Sequence, residues 1–233
     1  MPVAALQVWL LVQALAWTPW LLATAWFGAA ERPAWWAELQ VAAMVVSYAA
    51  LVLLLRAGRR AADVVTIGRF AVLLLAVVLA DRGSGAAWWL AVAAVLGDLV
   101  DGAVARRLGG SPQGAVLDME TDQLTVLALA SMVVAGGGGS HVLVLPGLRY
   151  LFVLWMRAAS VPAHDPKPKD GDNRRGRRVC AAVLVALLFA LSPSVPRAAG
   201  DVATGIAVAL LLWSFGDDAK FLLGRRSAAK GRT

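Results

Sequence analysis

The sequence predicts an all-α polytopic membrane protein, and three observations carry that prediction. Hydrophobic residues make up 60% of the 233 and the mean hydropathy is +0.69, well above the roughly half-apolar composition of a soluble domain. The apolar residues fall into eight segments, most of them near the ~20 residues that cross a bilayer as a helix. The basic residues gather in alternate connections, as they do when one side of a membrane retains positive charge.

Segment 3–27 is apolar from its first turn. Ala23-Thr24-Ala25 has the small residues of a signal-peptidase site, but no Lys or Arg precedes the run, so a retained helix is expected. Segment 36–55 follows. Trp9, Trp17, Trp20, Trp26, Trp35 and Trp36 gather in these two segments and are expected mostly at interfaces, where indole is favoured. RAGRRAAD, residues 56–63, is a basic hinge before segments 64–80, 86–105 and 115–135. GGGGS, 136–140, reads as an outer turn, since it lacks the Lys of a phosphate loop. Segment 142–159 leads into VPAHDPKPKDGDNRRGRR, 161–178, whose prolines, glycines and mixed charges predict an irregular loop. Segment 179–191 is short, and 202–223 is the last. One cysteine, Cys180, excludes an internal disulfide.

Eighteen of the 22 Lys and Arg fall on one side, around 56–69, at Arg106 and Arg107, through 157–178 and from 220 onward. The other side holds Arg32, Arg82 and Arg197, while Arg149 lies within a span. This asymmetry places both termini in the cytoplasm. It also accounts for the net charge of +7 without a nucleic-acid partner, because the charges follow the membrane sides.

Residues 97–122, GDLVDGAVARRLGGSPQGAVLDMETD, put four aspartates in and between segments otherwise fit for lipid. Ionisable groups at membrane depth mark a functional site. At about 100° per residue, Asp98 and Asp101 lie about 60° apart on a helix, and Asp118 and Asp122 about 40° apart. Each pair shares a face, so two neighbouring helices can aim four carboxylates at one point. Together they require a cation, and an all-oxygen set without His or Cys suits Mg²⁺ or Mn²⁺ rather than zinc. Gly102, Ala105 and Arg106 continue the first face: two tiny side chains admit a ligand close to the backbone, and Arg supplies planar donors for phosphate. Helix packing and ordinary ion pairing would explain these residues if nearby cations matched the carboxylates in number, and they do not.

The same residues fit D-x-x-D-G-x-x-A-R-x7-G-x-x-x-D-x-x-x-D at every fixed position: Asp98, Asp101, Gly102, Ala105, Arg106, Gly114, Asp118 and Asp122. The chain resembles the CDP-alcohol phosphotransferase family through this motif. The resemblance implies a six-helix catalytic membrane domain, here 59–233, preceded by a two-helix extension, 1–58. It implies two divalent metals on Asp98, Asp101, Asp118 and Asp122, with Asp122 also the general base. It implies a CDP-linked donor such as CDP-diacylglycerol seated by Gly102, Ala105, Arg106 and Gly114, an alcohol acceptor, release of CMP, and usually a homodimer. The setting would be a bacterial-type plasma membrane, with the site facing the cytoplasm.

Outside that motif, Asp63-x-x-Thr66-x-x-Arg69 resembles the N-x-x-T-x-x-R entry to the first catalytic helix, with Asp63 in place of Asn. By that resemblance Thr66 and Arg69 help hold the nucleotide; a solvated helix start with a charge-retaining Arg is the alternative. Arg149 and Arg157, eight apart, resemble the phosphatidylglycerophosphate synthase branch, and Gly176-Arg177-Arg178 resembles the G-K stretch before the fifth catalytic helix. Arg149, Arg157 and Arg177 are thus acceptor candidates, with pairing to a site aspartate the alternative for Arg149 and anionic lipid for Arg177. Cardiolipin, inositol-phosphate and serine branches share the core motif. A carboxylate-based ion or proton transporter is the reading from another class, though it needs neither the Gly102–Ala105–Arg106 face nor Gly114. Glu120, about 200° from Asp118, is expected to point away from the metals, as a solvated or paired charge. His141 and His164 form no H-x-K pairing, so no phosphohistidine route is expected.

Overall fold

The computed structural model describes residues 3–28, 31–58, 60–109, 111–158 and 174–230. These form helices α1 (Val3–Phe27), α2 (Trp36–Leu55), α3 (Ala61–Asp81), α4 (Ala86–Leu108), α5 (Pro112–Ala135), α6 (Val144–Ala158), α7 (Arg174–Leu191) and α8 (Arg197–Lys230), with a 3-10 turn, Ser140–Leu143, before α6. Each of the eight apolar segments corresponds to one helix. Their ends differ mostly in one direction, because the backbone ladder runs on through helix-compatible polar residues that hydropathy leaves out. α3 begins at Ala61, α5 at Pro112, α7 at Arg174 and α8 at Arg197, each several residues early. The irregular loop expected over 161–178 is corrected accordingly. Arg174 to Arg178 belong to α7, and 159–173 lie outside the described residues.

By length and composition α1, α2, α3, α4 and residues 197–217 of α8 can cross a membrane. α5 is long enough but carries Asp118, Glu120 and Asp122, and α7 begins with four arginines in five residues. The chain is an integral membrane protein whose spanning helices α3 and α4 also carry charged groups, Arg69, Asp98 and Asp101 among them.

α5 is the axis of the bundle. Every residue from Leu124 to Val134 is buried, the pattern of a helix enclosed on all sides, and α1, α2, α3, α6 and α7 all touch it. Its start is set locally: Ser111 is the N-cap, its Oγ accepting from the Gly114 N–H at 2.9 Å, and Pro112 occupies the first helical position. α4 stops just before, at Gly109, whose φ of 84° favours a residue without Cβ. The connection from α4 to α5 is therefore short, and Asp98–Asp101 and Asp118–Asp122 come to the same end of the molecule.

α3 packs along α4 and also against α5; α7 pairs with α8, and Trp88 Nε1 ties α4 to the Leu188 carbonyl of α7 at 2.9 Å. α1 lies along α6, and α2 lies against α3 and α5. The extension is held by its own polar clip: Gln13 Oε1 accepts from Trp17 Nε1 at 2.7 Å and from Ser47 Oγ at 2.6 Å. The interfacial placing of the tryptophans needs correction here. Trp26 and Trp35 are exposed, but Trp9, Trp17 and Trp36 are buried between helices, and Trp20 stacks on Trp36 at 4.0 Å. Indole packs as a large apolar body once its N–H has a partner, which Gln13 and Thr24 supply for Trp17 and Trp36.

Candidate active site

α3, α4 and α5 each contribute two side chains to one point. α3 brings Thr66 and Arg69, both buried; α4 brings Asp98 and Asp101; α5 brings Asp118 and Asp122. Carboxylate oxygens of Asp98, Asp101 and Asp118 lie within 4.8 Å of one another. Arg69 joins the fourth. Its Nη1 donates to Asp98 Oδ1 at 2.9 Å, and its Nη2 donates to Asp118 Oδ1 and Asp122 Oδ1, both at 3.0 Å. Nε faces Asp101 Oδ2 at 3.5 Å, and the one hydroxyl hydrogen of Thr66 is shared between that same oxygen at 3.1 Å and the Ala62 carbonyl at 3.0 Å.

Three consequences follow from this geometry. Arg69 and Thr66 each meet one oxygen of the carboxylates they face, and together they anchor all four. Four carboxylates against one guanidinium leave a formal charge of −3 when all are ionised, which a poorly solvated site sustains only with further cations. The side chains are also graded in depth: Asp101 is 4% exposed, Asp122 27%, Asp98 40% and Asp118 43%. The site is thus a cup with Asp101 at its floor and an open mouth. An all-oxygen donor set of this kind fits Mg²⁺ or Mn²⁺.

Residues 59–213 match the family of CDP-alcohol phosphatidyltransferases. The chain belongs to this family. No curated protein and no solved structure matches the chain. As a CDP-alcohol phosphatidyltransferase it is a transferase, and the matched region covers α3 through the first half of α8 while α1 and α2 precede it.

The remaining candidate residues fall into distinct places. Arg106 is exposed, and its guanidinium folds back over Gly102: a Cβ there would stand 3.3 Å from Nη1. Ala105 is half-buried on the same helix. Gly114 has a structural reason of its own, since a Cβ would come within 2.7 Å of Asp63 Oδ1 and 3.1 Å of Ser111 Oγ. Asp63 is buried at the start of α3 and accepts from the Gly58 N–H at 3.1 Å. That is an acid in the first turn reaching back to the chain before the helix, as in a capping box.

Arg149 pairs with Glu120, joining α6 to α5, so its partner is not one of the four aspartates. Glu120 is buried and paired rather than solvated. Arg157 closes α6, and its side chain lies outside the described residues. Arg177 is exposed in the first turns of α7. α7 itself packs against α4 and α5, the two helices that carry the aspartates. His164 is outside the described residues; His141 Nε2 bonds Thr204 Oγ1 at 2.9 Å beside the 136–140 turn. That turn follows the far end of α5, where the Gly139 N–H donates to Asp201 Oδ1 at 2.8 Å.

Two contributors were not singled out from the sequence. Gly97 leaves room for Arg69, since a Cβ would meet its Cγ and Cδ at 3.2 Å. Its only signal was a glycine immediately before Asp98. Tyr48 reaches the site from behind and is taken up below.

Proposed function

We propose that this CDP-alcohol phosphatidyltransferase is a divalent-metal-dependent enzyme that moves a phosphatidyl group from CDP-diacylglycerol to a phosphorylated alcohol, in the manner of a phosphatidylglycerophosphate synthase, and releases CMP. The observation that carries the reading is the cup itself: four carboxylates from α4 and α5 gathered around one guanidinium, in a chain of this family.

Asp98, Asp101 and Asp118 would hold the two metal ions, with Asp122 completing the set. Bound Mg²⁺ or Mn²⁺ would neutralise the donor pyrophosphate and the charge developing on departing CMP. The chain's own groups do the rest. The Gly102–Ala105 face admits the CDP close to the backbone of α4, and Arg106 supplies donors to its phosphates. Gly114 keeps the start of α5 close to α3 at the same mouth. Thr66 and Arg69 serve the nucleotide indirectly, by fixing the carboxylates. Asp122 Oδ1 is held by Arg69, so Oδ2 accepts the proton of the acceptor hydroxyl as its oxygen bonds to phosphorus and CMP leaves. No Ser, Cys or His of the motif is placed to attack the donor, so the displacement is direct.

Arg177, exposed in the first turns of α7, is the first candidate contact for an acceptor that carries a phosphate, and Arg157 on α6 is the second. Arg149 is assigned a structural role through Glu120. The positive-inside asymmetry puts the cup and both termini on the cytoplasmic side, where CDP-linked lipids meet soluble acceptors. The homodimer usual in such enzymes is part of the proposal and rests on family membership. The test is an acceptor panel. Purified protein with labelled CDP-diacylglycerol should release CMP with glycerol 3-phosphate and far less with serine or inositol. Equal release with an uncharged acceptor would overturn the branch assigned here.

A further inference from the structure

α2 lies outside the region that matches the family, yet it meets α3 and α5, two of the three helices that build the cup. Its contact residue is Tyr48, 4% exposed. The Tyr48 ring stacks on Phe70, the residue after Arg69, with centroids 3.9 Å apart and planes 23° from parallel. Its hydroxyl lies 3.0 Å from Thr121 Oγ1, one residue before Asp122. The direction of that bond is settled by proton count. Thr121 Oγ1 has one hydrogen and gives it to the Leu117 carbonyl at 2.7 Å, which can only accept. Tyr48 is therefore the donor and Thr121 the acceptor. Tyr48 also lies in the field of Arg69, Asp118 and Asp101.

The extension is built to hold this residue still. Ser47 is clipped to Gln13 of α1, Met44 and Leu51 on either side are fully buried, and Arg32 after α1 pairs with Asp81 at the far end of α3 at 3.4 Å. A stack and a hydrogen bond from one ring thus touch the residue after Arg69 and the residue before Asp122.

We propose that Tyr48 is a positioning residue for the transfer: it sets the register of α5 against α3, and so the aim of Asp122 and Arg69. The inference rests on the transferase reading above. The boundary at residue 58 then limits the family match but not the working unit, and the extension is part of the active-site support.

The test uses the full chain with Tyr48→Phe, Tyr48→Ala and, as a control, Val46→Ala, which trims an exposed side chain of the same helix. Two quantities are read: steady-state kinetics of CMP release, and binding of Mn²⁺ alone, followed as free Mn²⁺ by electron paramagnetic resonance. Tyr48→Phe keeps the stack and loses the hydrogen bond. It should lower kcat about tenfold with the donor KM within about twofold, since small misplacements of a reacting group act on the chemical step. Tyr48→Ala should lower it further, and should raise the apparent Mn²⁺ dissociation constant by about tenfold, as loss of outer support does at metal sites. Val46→Ala should match wild type in both. Wild-type kcat and Mn²⁺ binding in Tyr48→Phe and Tyr48→Ala would overturn the proposal, as would equal losses in Val46→Ala. A wild-type protein that releases no CMP would sink the transferase reading instead, and the Mn²⁺ titration would still report on Tyr48.

Discussion

Asp118, Glu120 and Asp122 fall within five consecutive positions of α5, and the helical turn gives them different work. Asp118 and Asp122 share a face and both meet Arg69 Nη2, whereas Glu120 points to α6 and pairs with Arg149. The 100° turn was enough to separate them from the sequence alone. Arg69 was harder to read. Spacing within one helix says which side chains share its face, but not which cation from another helix they surround. Asp122→Asn should lower kcat by about 10²–10⁴-fold, the range for losing a general base. Glu120→Gln should keep most of the turnover per folded molecule, but breaking a largely buried pair should lower stability by up to about 3 kcal/mol. Matched kinetics and thermal melts of the two purified variants check both outcomes. Equal kinetic losses with unchanged melts would contradict the division of roles.

At the scale of the helices, periodic hydropathy located every apolar segment because lipid demands a continuous apolar run. Their polar ends were missed because Arg174 to Arg178 and Arg197 are as compatible with a helix as with a loop. The junction of α3 and α5 shows a finer limit. Gly114 reads from the motif as space for a ligand, yet in the structure Asp63 and Ser111 crowd the space where its Cβ would be. Gly114→Ala should therefore act through packing. With 2.7 Å between the new Cβ and Asp63 Oδ1, α5 must move from α3, and a loss of about 1–3 kcal/mol is expected. Because Asp63 belongs to the contact, Gly114→Ala combined with Asp63→Ala should recover part of the melting temperature. No recovery in the double variant would mean that Gly114 serves a ligand and not this contact.

For the whole molecule, the decisive arrangement is that three helices of the matched region meet at one end, with α1 and α2 packed behind them. Charge sidedness predicts the orientation. Cysteines placed singly at residues 137 and 227, in a Cys180→Ser background, should be blocked by an impermeant maleimide from outside and inside, respectively; the reverse labelling would overturn the cytoplasmic site. The central claim, that the carboxylate cup binds divalent metal and transfers from a CDP-linked lipid, has a more direct test. Purified wild type, Asp98→Asn and Asp118→Asn are assayed for CMP release from CDP-diacylglycerol with glycerol 3-phosphate, first in EDTA and then with added Mn²⁺. The account predicts no release in EDTA, recovery with Mn²⁺ in wild type, and at least about 100-fold less in either variant despite normal membrane insertion, because each has lost a ligand charge. Release in EDTA, or Mn²⁺-dependent turnover in either variant close to wild type, would contradict it.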